Sequence, residues 1–257
     1  MTTFDFPEAK GIVVCGDIHG EFDTLVHKCC VLNAMTDTLI VLAGDCGFGF
    51  ERPDYYESTY KRNSERLSKS NCWVVMMRGN HDNPAYFNTY RLKHSRFMTI
   101  PDYTVLTACG HNILCVGGAI SVDRTYRIMS RHYNPPHPSD PLFPSIYWMN
   151  EPPVFDYTQL KQVTDSLAID TVVTHTAPSF CEMIEKTGLD SWAAQDHTLL
   201  FDVEAERKTM DGLYESLRKF RQPLRTWLYG HFHQSWHSEI DGVMFRMLDI
   251  MELCELR

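Results

Sequence analysis

No stretch of this sequence approaches the roughly 20 apolar residues that a membrane-spanning helix requires. The N-terminal residues Met1 to Lys10 include Asp5 and Glu8 and lack a basic start followed by an apolar run, so they predict no signal peptide. Basic residues are in the minority, and the formal charge is −9. This charge argues against a long nucleic acid as ligand, because proteins that bind phosphate backbones usually carry a basic surface.

Cysteine usage excludes two common kinds of cysteine site. The nine cysteines include no C-x-x-C pair, which a zinc ribbon or a thioredoxin-type redox centre requires. Their number is odd, and most lie in apolar stretches, such as Cys15 in Ile-Val-Val-Cys and Cys115 in Ile-Leu-Cys-Val. This pattern predicts free, mostly buried thiols in a reducing compartment, and hence a cytoplasmic protein.

The remaining composition is that of a folded protein, with 44% hydrophobic and 22% charged residues and without internal repeats or low-complexity tracts. With 257 residues the chain can bury a substantial core. We expect one domain over residues 1–257, with an irregular, lid-like segment at about 123–153. The Tyr, Trp and Arg content of that segment favours a lid, although a linker is the other interpretation of so long a loop.

Short β-branched runs alternate with helix-like stretches in the first third and again in the last third. This alternation is typical of βαβ units and, taken alone, predicts one open, mostly parallel sheet. Two hairpins are predicted as well, around Gly110-His111 and Asp241-Gly242. The predicted strands are 11–16, 38–44, 72–77, 171–174 and 226–229, and the predicted helices are 21–34, 55–70, 156–168 and 198–219.

Five of the predicted strands run directly into polar side chains that can bind metal. In an open α/β sheet the carboxyl ends of the strands border one crevice, so these side chains are expected to meet. A Gly-Asp turn or a single histidine at a strand end is often structural, but five such ends in order favour a metal site. Carboxylate, imidazole and amide donors together suit Mn²⁺, Fe or Zn²⁺. The residues are Asp17, His19, Asp45, Asn80, His81, His175, His231 and His233.

The order of these motifs resembles that of the calcineurin-like metallophosphoesterases. Softer similarity to a bacterial-type subgroup appears at 117–123 (Gly-Gly-Ala-Ile-Ser-Val-Asp) and 148–151 (Trp-Met-Asn-Glu). The resemblance implies an α/β fold in which two mixed sheets form a sandwich flanked by helices, in place of the single open sheet. The matching motifs are Gly16-Asp17-Ile18-His19-Gly20, Gly44-Asp45, Gly79-Asn80-His81-Asp82, Thr174-His175 and Gly230-His231-Phe232-His233.

The resemblance also implies a role for each of these residues. Two divalent cations, whose identity among Mn, Fe and Zn stays open, would activate a shared water, and the resulting hydroxide would attack phosphorus. His81 would stabilise or protonate the departing oxygen. The implied ligands are Asp17, His19 and His233 for one metal and Asn80, His175 and His231 for the other, with Asp45 bridging the two.

One part of the family pattern is missing from this sequence. The second motif of related phosphoprotein phosphatases continues to an Asp-Arg pair, whose places are occupied here by Phe48 and Gly49. Asp82 can replace that Asp as support for His81, or it can cap the helix that begins near Pro84, and the sequence favours the cap.

The phosphate-binding arginine must also come from elsewhere in the chain. The candidates are Arg124 and Arg127, which follow a predicted strand end closely and lie within the lid-like segment.

The sequence therefore predicts a hydrolase of phosphate esters, with monoesters and diesters both open. A non-catalytic metal-binding or scaffold protein on the same fold is the alternative. The expected partner is a phosphate ester, either a small molecule or a nucleotide, with neither a membrane nor a long nucleic acid involved.

Overall fold

The computed structural model describes residues 1–130, 139–181 and 188–256. Within these ranges the strands are β1 (Thr2–Asp5), β2 (Gly11–Cys15), β3 (Thr38–Leu42), β4 (Trp73–Met76), β5 (Lys93–His94), β6 (Phe97–Thr99), β7 (Thr104–Ala108), β8 (His111–Val116), β9 (Thr171–Thr174), β10 (Thr226–Tyr229), β11 (Trp236–Ile240), β12 (Val243–Met247) and β13 (Leu253–Leu256). The α-helices are α1 (Phe22–His27), α2 (Pro53–Lys69), α3 (Arg124–Met129), α4 (Tyr157–Ser166), α5 (Leu189–Ala193) and α6 (Leu199–Lys219).

The strands form two mixed sheets. One has seven strands in the order β1-β7-β8-β9-β10-β12-β11, and the other has six in the order β13-β2-β3-β4-β6-β5. The two-sheet α/β fold that the resemblance implied is therefore confirmed, and the single open sheet is wrong. The βαβ pattern is real in both halves of the chain, but β2, β3 and β4 of the first half pair in the six-stranded sheet, whereas β9 and β10 of the second half pair in the seven-stranded sheet.

Three apolar clusters show how the layers pack. The central cluster joins Val14 and Val41 of the six-stranded sheet to Cys115 and Leu228 of the seven-stranded sheet, so the two sheets face each other. A second cluster lies between the six-stranded sheet and α1 and α2, and a third lies between the seven-stranded sheet and α4 and α6. The result is a sandwich of two sheets with helices on both outer faces.

Strand β3 shows why the central strands are apolar without interruption. Leu39 and Val41 point into the layer between the sheets, whereas Ile40 and Leu42 point toward the helices. Successive side chains of a strand alternate between its faces, so a strand covered on both sides must be apolar at every position.

The predicted helix 21–34 is shorter in the structure, where α1 ends at His27 and a π-helical turn follows over Lys28–Leu32. The edge strands β1, β5 and β13, and the short β6 beside β5, were not predicted. They are short, half-polar segments that owe their conformation to pairing with a neighbour, as β13 does beside β2.

The segment 123–153 is not irregular throughout, because it begins with α3. An ion pair one helical turn apart supports this helix, since Arg127 Nε lies 2.8 Å from Asp123 Oδ1. Residues 139–153 follow the surface of the sandwich and bury Tyr147 and Trp148. Residues 131–138, which also belong to the predicted lid, lie outside the described residues.

Two further findings concern the whole described chain. All nine cysteines are free thiols, as predicted, and six of them are buried. Of the helices in the described ranges, none combines the length and the apolar character needed to cross a membrane.

Candidate metal centre

The side chains singled out in the sequence meet where the two sheets present the carboxyl ends of their central strands. The turns after β2, β3 and β4 of the six-stranded sheet carry one group of them, and the turns after β9 and β10 of the seven-stranded sheet carry a second group. The first of these contains Asp17, His19, Asp45 and Asn80, and the second contains His175, His231 and His233.

One compact group consists of Asp17, His19, Asp45 and His233, each of which offers one ligand atom within 4.8 Å of the others. The Nε2 atoms of His19 and His233 are 3.1 Å apart, and His233 Nε2 is 3.1 Å from Asp17 Oδ2. Asp17 Oδ2 is buried and accepts no hydrogen bond from any described residue. A buried carboxylate oxygen without a donor, facing two imidazole nitrogens, fits a bound cation.

A second group surrounds His175, which is fully buried. Its Nδ1–H donates to the carbonyl of Ala43 at 2.7 Å, and this fixes the tautomer. Nε2 is left to face Asn80 Oδ1 and Asp45 Oδ1, each 3.0 Å away. A proton on Nε2 or a cation bound between these atoms would satisfy the two oxygens, and a histidine that donates its other N–H to a carbonyl is typical of a metal ligand.

The charges of the site also favour a positive charge between these side chains. Burial favours the neutral form of His175, but the carboxylates of Asp45 and Asp17 outweigh it and raise the pKa of His175 to about 10. Burial and the charge of His175 hold the pKa of His231 well below its usual range, so His231 is neutral, the form that binds metal. The rings of His175 and His231 are 5.0 Å apart. The residues present therefore fit divalent cations.

Asp45 lies between the two groups. Its Oδ1 faces His175 and accepts a hydrogen bond from the backbone N–H of His81 at 2.8 Å, while its Oδ2 is 4.0 Å from His19 Nδ1. Burial alone would raise the pKa of Asp45, but His175 and His81 hold it well below the usual range. Asp45 is thus an ionised carboxylate with one oxygen toward each group.

Four of these residues have a left-handed backbone, which non-glycine residues seldom adopt. The φ angles are 46° for His19, 46° for Asp45, 71° for His231 and 52° for His233. Such a conformation costs about 1–3 kcal/mol per residue and is concentrated at functional sites. The left-handed conformation therefore lowers the local stability of these turns, but it sets the direction in which the side chains point.

Glycines in the motifs make room for side chains from other motifs. A Cβ atom at Gly79 would overlap Asp45 Oδ1, and one at Gly230 would overlap Asp17 Oδ1. The sequence places these glycines directly before Asn80 and His231, so each turn can approach a carboxylate from a different strand.

A buried chain of hydrogen bonds orients Asn80. Its Nδ2 donates to Ser121 Oγ at 3.0 Å, and Ser121 Oγ donates to Glu151 Oε2 at 2.6 Å. Glu151 Oε1 also accepts from the backbone N–H of Ser121 at 2.7 Å. Because the amide nitrogen of Asn80 is committed to Ser121, its oxygen is the atom that faces His175.

His81 lies beside both groups of side chains. Its ring is T-shaped to His19 at 5.0 Å and stacks on Phe50 at 6.2 Å. Arg127 contacts the His81 ring through Nη2 and is anchored by Nε, which donates to Asp123 Oδ2 at 2.9 Å. Burial is the main cause that lowers the pKa of His81, to about 4, and the charge of Arg127 acts in the same direction.

Arg124 has a different environment from Arg127. Its Nε lies 2.6 Å from Asp196 Oδ2 and its Nη2 lies 2.6 Å from Asp202 Oδ2, so two carboxylates hold the guanidinium. These ion pairs fasten α3 to the start of α6. Of the two arginines predicted to bind phosphate, the structure therefore brings only Arg127 to His81.

The prediction for Asp82 as a helix cap is wrong. The short 3₁₀ helix Pro84–Tyr86 is capped by Asn83, whose side chain accepts from Ala85 N. Asp82 instead accepts hydrogen bonds from four backbone N–H groups, and it shapes the turn after β3. The donors are Cys46, Gly47, Phe48 and Gly79.

The two positions that depart from the family pattern have structural roles. Phe48 is fully buried and packs on Phe22 and Tyr56. At Gly49, φ is +100° and a Cβ atom would meet Trp148. Neither position supplies a charge to His81, which instead has Arg127 beside it.

Sequence reasoning missed two groups of this site, Ser121 and Glu151. Both lie in stretches that resembled a bacterial-type subgroup, 117–123 and 148–151, and that resemblance was the available signal. Their spacing of thirty positions carries no local pattern, so only the folded chain shows that they contact each other.

Comparison with solved structures finds proteins with a similar fold. The structure is similar to that of a Thermus thermophilus protein, TT1561, with a TM-score of 0.54 and 14% identity over 97% of this chain and 99% of that one. It is also similar to a dimetal phosphatase from Danio rerio, with a TM-score of 0.51 and 14% identity over 94% of this chain and 87% of that one. At these identities the likeness shows the fold alone.

Sequence comparison adds a curated relative and a family. The chain is 27% identical over 155 residues to the serine/threonine-protein phosphatase PP1-delta of Caenorhabditis elegans, a match that covers 52% of this chain and 47% of the relative. The chain thus matches about half the length of that relative. The profile of the calcineurin-like phosphoesterases matches residues 11–235, so the chain belongs to the calcineurin-like phosphoesterase family, whose members are hydrolases of phosphate ester bonds.

Proposed function

We propose that this protein is a hydrolase of phosphate esters that depends on two divalent metal ions. The observation that carries the proposal is the position of Asp45, which directs one carboxylate oxygen toward each of two groups of ligands, with His81 and Arg127 adjacent. Ligands from both sheets complete the site, so we further propose that residues 1–257 act as one catalytic domain.

In this proposal one cation is held by Asp17, His19 and His233 and the other by Asn80, His175 and His231, with Asp45 shared between them. Bound there, two cations would neutralise charge on the phosphoryl oxygens and lower the pKa of a water molecule that serves as nucleophile. Mn²⁺, Fe and Zn²⁺ all suit this mixture of carboxylate, imidazole and amide donors.

The remaining steps belong to groups of this chain. Arg127 is held by Asp123 through Nε, and its Nη2, which contacts the His81 ring, would bind a phosphate oxygen. The low pKa keeps the His81 ring neutral at pH 7, so its role is to donate a hydrogen bond to the departing oxygen. Arg124 is left out, because its ion pairs with Asp196 and Asp202 already occupy it.

The proposal is tested by loading the purified protein with Mn²⁺, Fe²⁺ or Zn²⁺ in turn and assaying aryl phosphates beside a bis-aryl diester. We expect turnover of at least one class, a loss of turnover in His81→Ala, and unchanged metal content in that variant. If protein with two bound metals per chain turns over none of these substrates, the metal-binding scaffold becomes the better description.

The expected substrate is a small phosphate ester rather than a long polyanion, given the formal charge of −9. The nine free thiols support a reducing compartment such as the cytoplasm.

A further inference from the structure

A pocket of about 210 Å³ opens next to the proposed metal ligands. One of its lining residues is His231, so the pocket and the metal centre share a wall. Its other walls are mostly aromatic or aliphatic and include Val122, Trp192, Val203 and Phe232. Ligand pockets for drug-sized molecules usually measure about 300–1,000 Å³, so this one suits a smaller group, such as a single ring.

One nitrogen of a charged group on the pocket wall has no partner among the residues that the structure describes. Arg207 is only 9% exposed, and its Nη1 has no hydrogen-bond partner among the described residues. Its Nη2 donates to the carbonyl of Cys181, and its guanidinium lies over the ring of Phe232 at 5.4 Å. A buried guanidinium nitrogen without an acceptor is costly, and a carboxylate or carbonyl oxygen would relieve that cost.

The neighbouring carboxylate of Glu206 is not an acceptor for Arg207 Nη1. Glu206 also lines the pocket, but its Oε1 accepts from Thr176 Oγ1 at 2.6 Å and its Oε2 accepts from the backbone N–H of Ile120. Both oxygens of Glu206 are thus committed to the wall, and among the described residues none occupies Nη1 of Arg207, which a bound molecule could therefore contact.

Phe232 lies beside both the metal centre and Arg207. Phe232 separates the two, with its ring centroid 4.8 Å from that of His231 and 5.4 Å from the guanidinium of Arg207. A planar ring beside Phe232 and Trp192 would place its ester oxygen toward the metal ligands and a substituent toward Arg207.

We propose that this pocket binds the alcohol part of the substrate, a single planar ring with a carboxylate or carbonyl acceptor, and that Arg207 recognises the acceptor. This inference rests on the proposed phosphoesterase function. It makes Arg207 a specificity residue that contacts the substrate at a distance from the reacting phosphorus.

The test compares three phosphate monoesters with the metal-loaded enzyme: 3-carboxyphenyl phosphate, phenyl phosphate and ethyl phosphate. A meta carboxylate hardly changes the acidity of the phenol, so the first two differ mainly in their contact with Arg207. We expect a kcat/KM about 10- to 100-fold higher for the carboxylated ring, as one charge-assisted hydrogen-bonded pair provides.

In Arg207→Met that preference is expected to fall to about one, with phenyl phosphate changed less than about 3-fold. Arg218→Met is the matched control, because Arg218 is an exposed arginine of the same helix, and it should keep the preference. An unchanged preference in a folded Arg207→Met protein would overturn the proposal.

A second variant keeps the test decisive if Arg207→Met does not fold. Val203→Trp fills the pocket and should lower kcat/KM for both ring esters about 10-fold or more while sparing ethyl phosphate. Equal losses for all three esters, or no loss for any, would contradict the pocket's role.

Failure of the proposed function would be recognised separately. If the enzyme hydrolyses none of the esters, the pocket is judged by calorimetric titration with 3-hydroxybenzoate, the alcohol part itself. Saturable binding that Val203→Trp weakens would support the pocket without catalysis, and absence of binding would refute it.

Discussion

The metal centre and the phosphate-binding side of the site are built in different ways. The proposed ligands follow directly from the ends of five buried strands, so their positions are set by the two sheets. Arg127 belongs to α3, outside the sheets, and Asp123 is the N-cap residue of that helix; Arg127 reaches His81 through one side-chain contact. The comparison teaches that the positions of the proposed metal ligands are set by the sandwich, whereas the groups that would contact phosphate depend on a surface helix.

The largest effect is expected from the metal side. Asp45→Asn keeps the shape of the side chain but removes the charge that both groups of ligands share, so kcat should fall about 1,000-fold or more, together with the metal content. Turnover and elemental analysis are the measurements. Asp165→Asn, an exposed acid of α4, is the control and should behave like wild type. Full activity in Asp45→Asn would remove Asp45 from the centre of the site.

A smaller loss is expected on the phosphate side. Arg127→Met should lower kcat/KM about 100-fold without loss of metal, because a charge-assisted contact with phosphate is removed. Arg124→Met should stay within about 3-fold in kcat/KM and lower the melting temperature instead, since its ion pairs fasten α3 to α6. The comparison fails if Arg124→Met is the variant that loses activity.

A still smaller effect is expected from loss of the hydrogen bond that orients Asn80. In Ser121→Ala the amide of Asn80 loses the acceptor that orients it, so metal affinity should fall about 10- to 100-fold. Competition with a chelator measures this. Ser145→Ala is a matched control, because Ser145 is buried as well, but its hydroxyl bonds, among the described residues, to the backbone of Tyr147. Equal affinity in both variants would reduce Ser121 to a packing role.

The smallest effect concerns the pH dependence of stability and Glu206, which accepts from Thr176 beside the metal centre. Burial raises the pKa of Glu206 to about 7, against hydrogen bonds from Thr176 and Ile120 and the charges of Arg207 and His175. The folded state therefore binds this proton more tightly than the unfolded chain does, for which the pKa is about 4.3. The stabilisation is complete below about pH 4.3 and is lost as the pH rises through about 7.

Glu206→Gln should remove this dependence, since glutamine stays neutral. Between pH 5 and 8 the metal-free wild type should lose about 1–3 kcal/mol more unfolding free energy than the variant. Urea unfolding at a series of pH values measures the difference. Parallel curves for the two proteins would exclude Glu206 as the titrating group.

The metal side was readable from the sequence because each of its residues directly follows a buried strand with a strong apolar signal. Asp17, Asp45 and His175 could be named from local sequence alone, and the structure brings them together. For the phosphate-binding arginine, the sequence left two candidates, Arg124 and Arg127, which lie three positions apart on one helix. Which of them reaches His81 depends on Asp196 and Asp202, far along the chain, and no local pattern reports such a partner.

The same limit explains the errors in the fold. The first and last thirds of the chain show the same βαβ pattern, but nothing local states that their strands belong to different sheets. Asp82 was assigned a cap because Pro84 follows it, whereas its oxygens accept from the distant turn after β3. In both cases a long-range contact outweighed a correct local signal.

The division of the ligands between two sheets bears on the order in which the protein assembles. His19 and His233 are 214 positions apart, and a chain made from its N-terminus presents Asp17, Asp45 and Asn80 long before His231 exists. If these residues bind cations as proposed, tight binding would have to wait until both sheets have formed and packed. We expect added metal to slow unfolding while leaving the early phases of refolding unchanged, since the complete ligand set belongs to the native state alone.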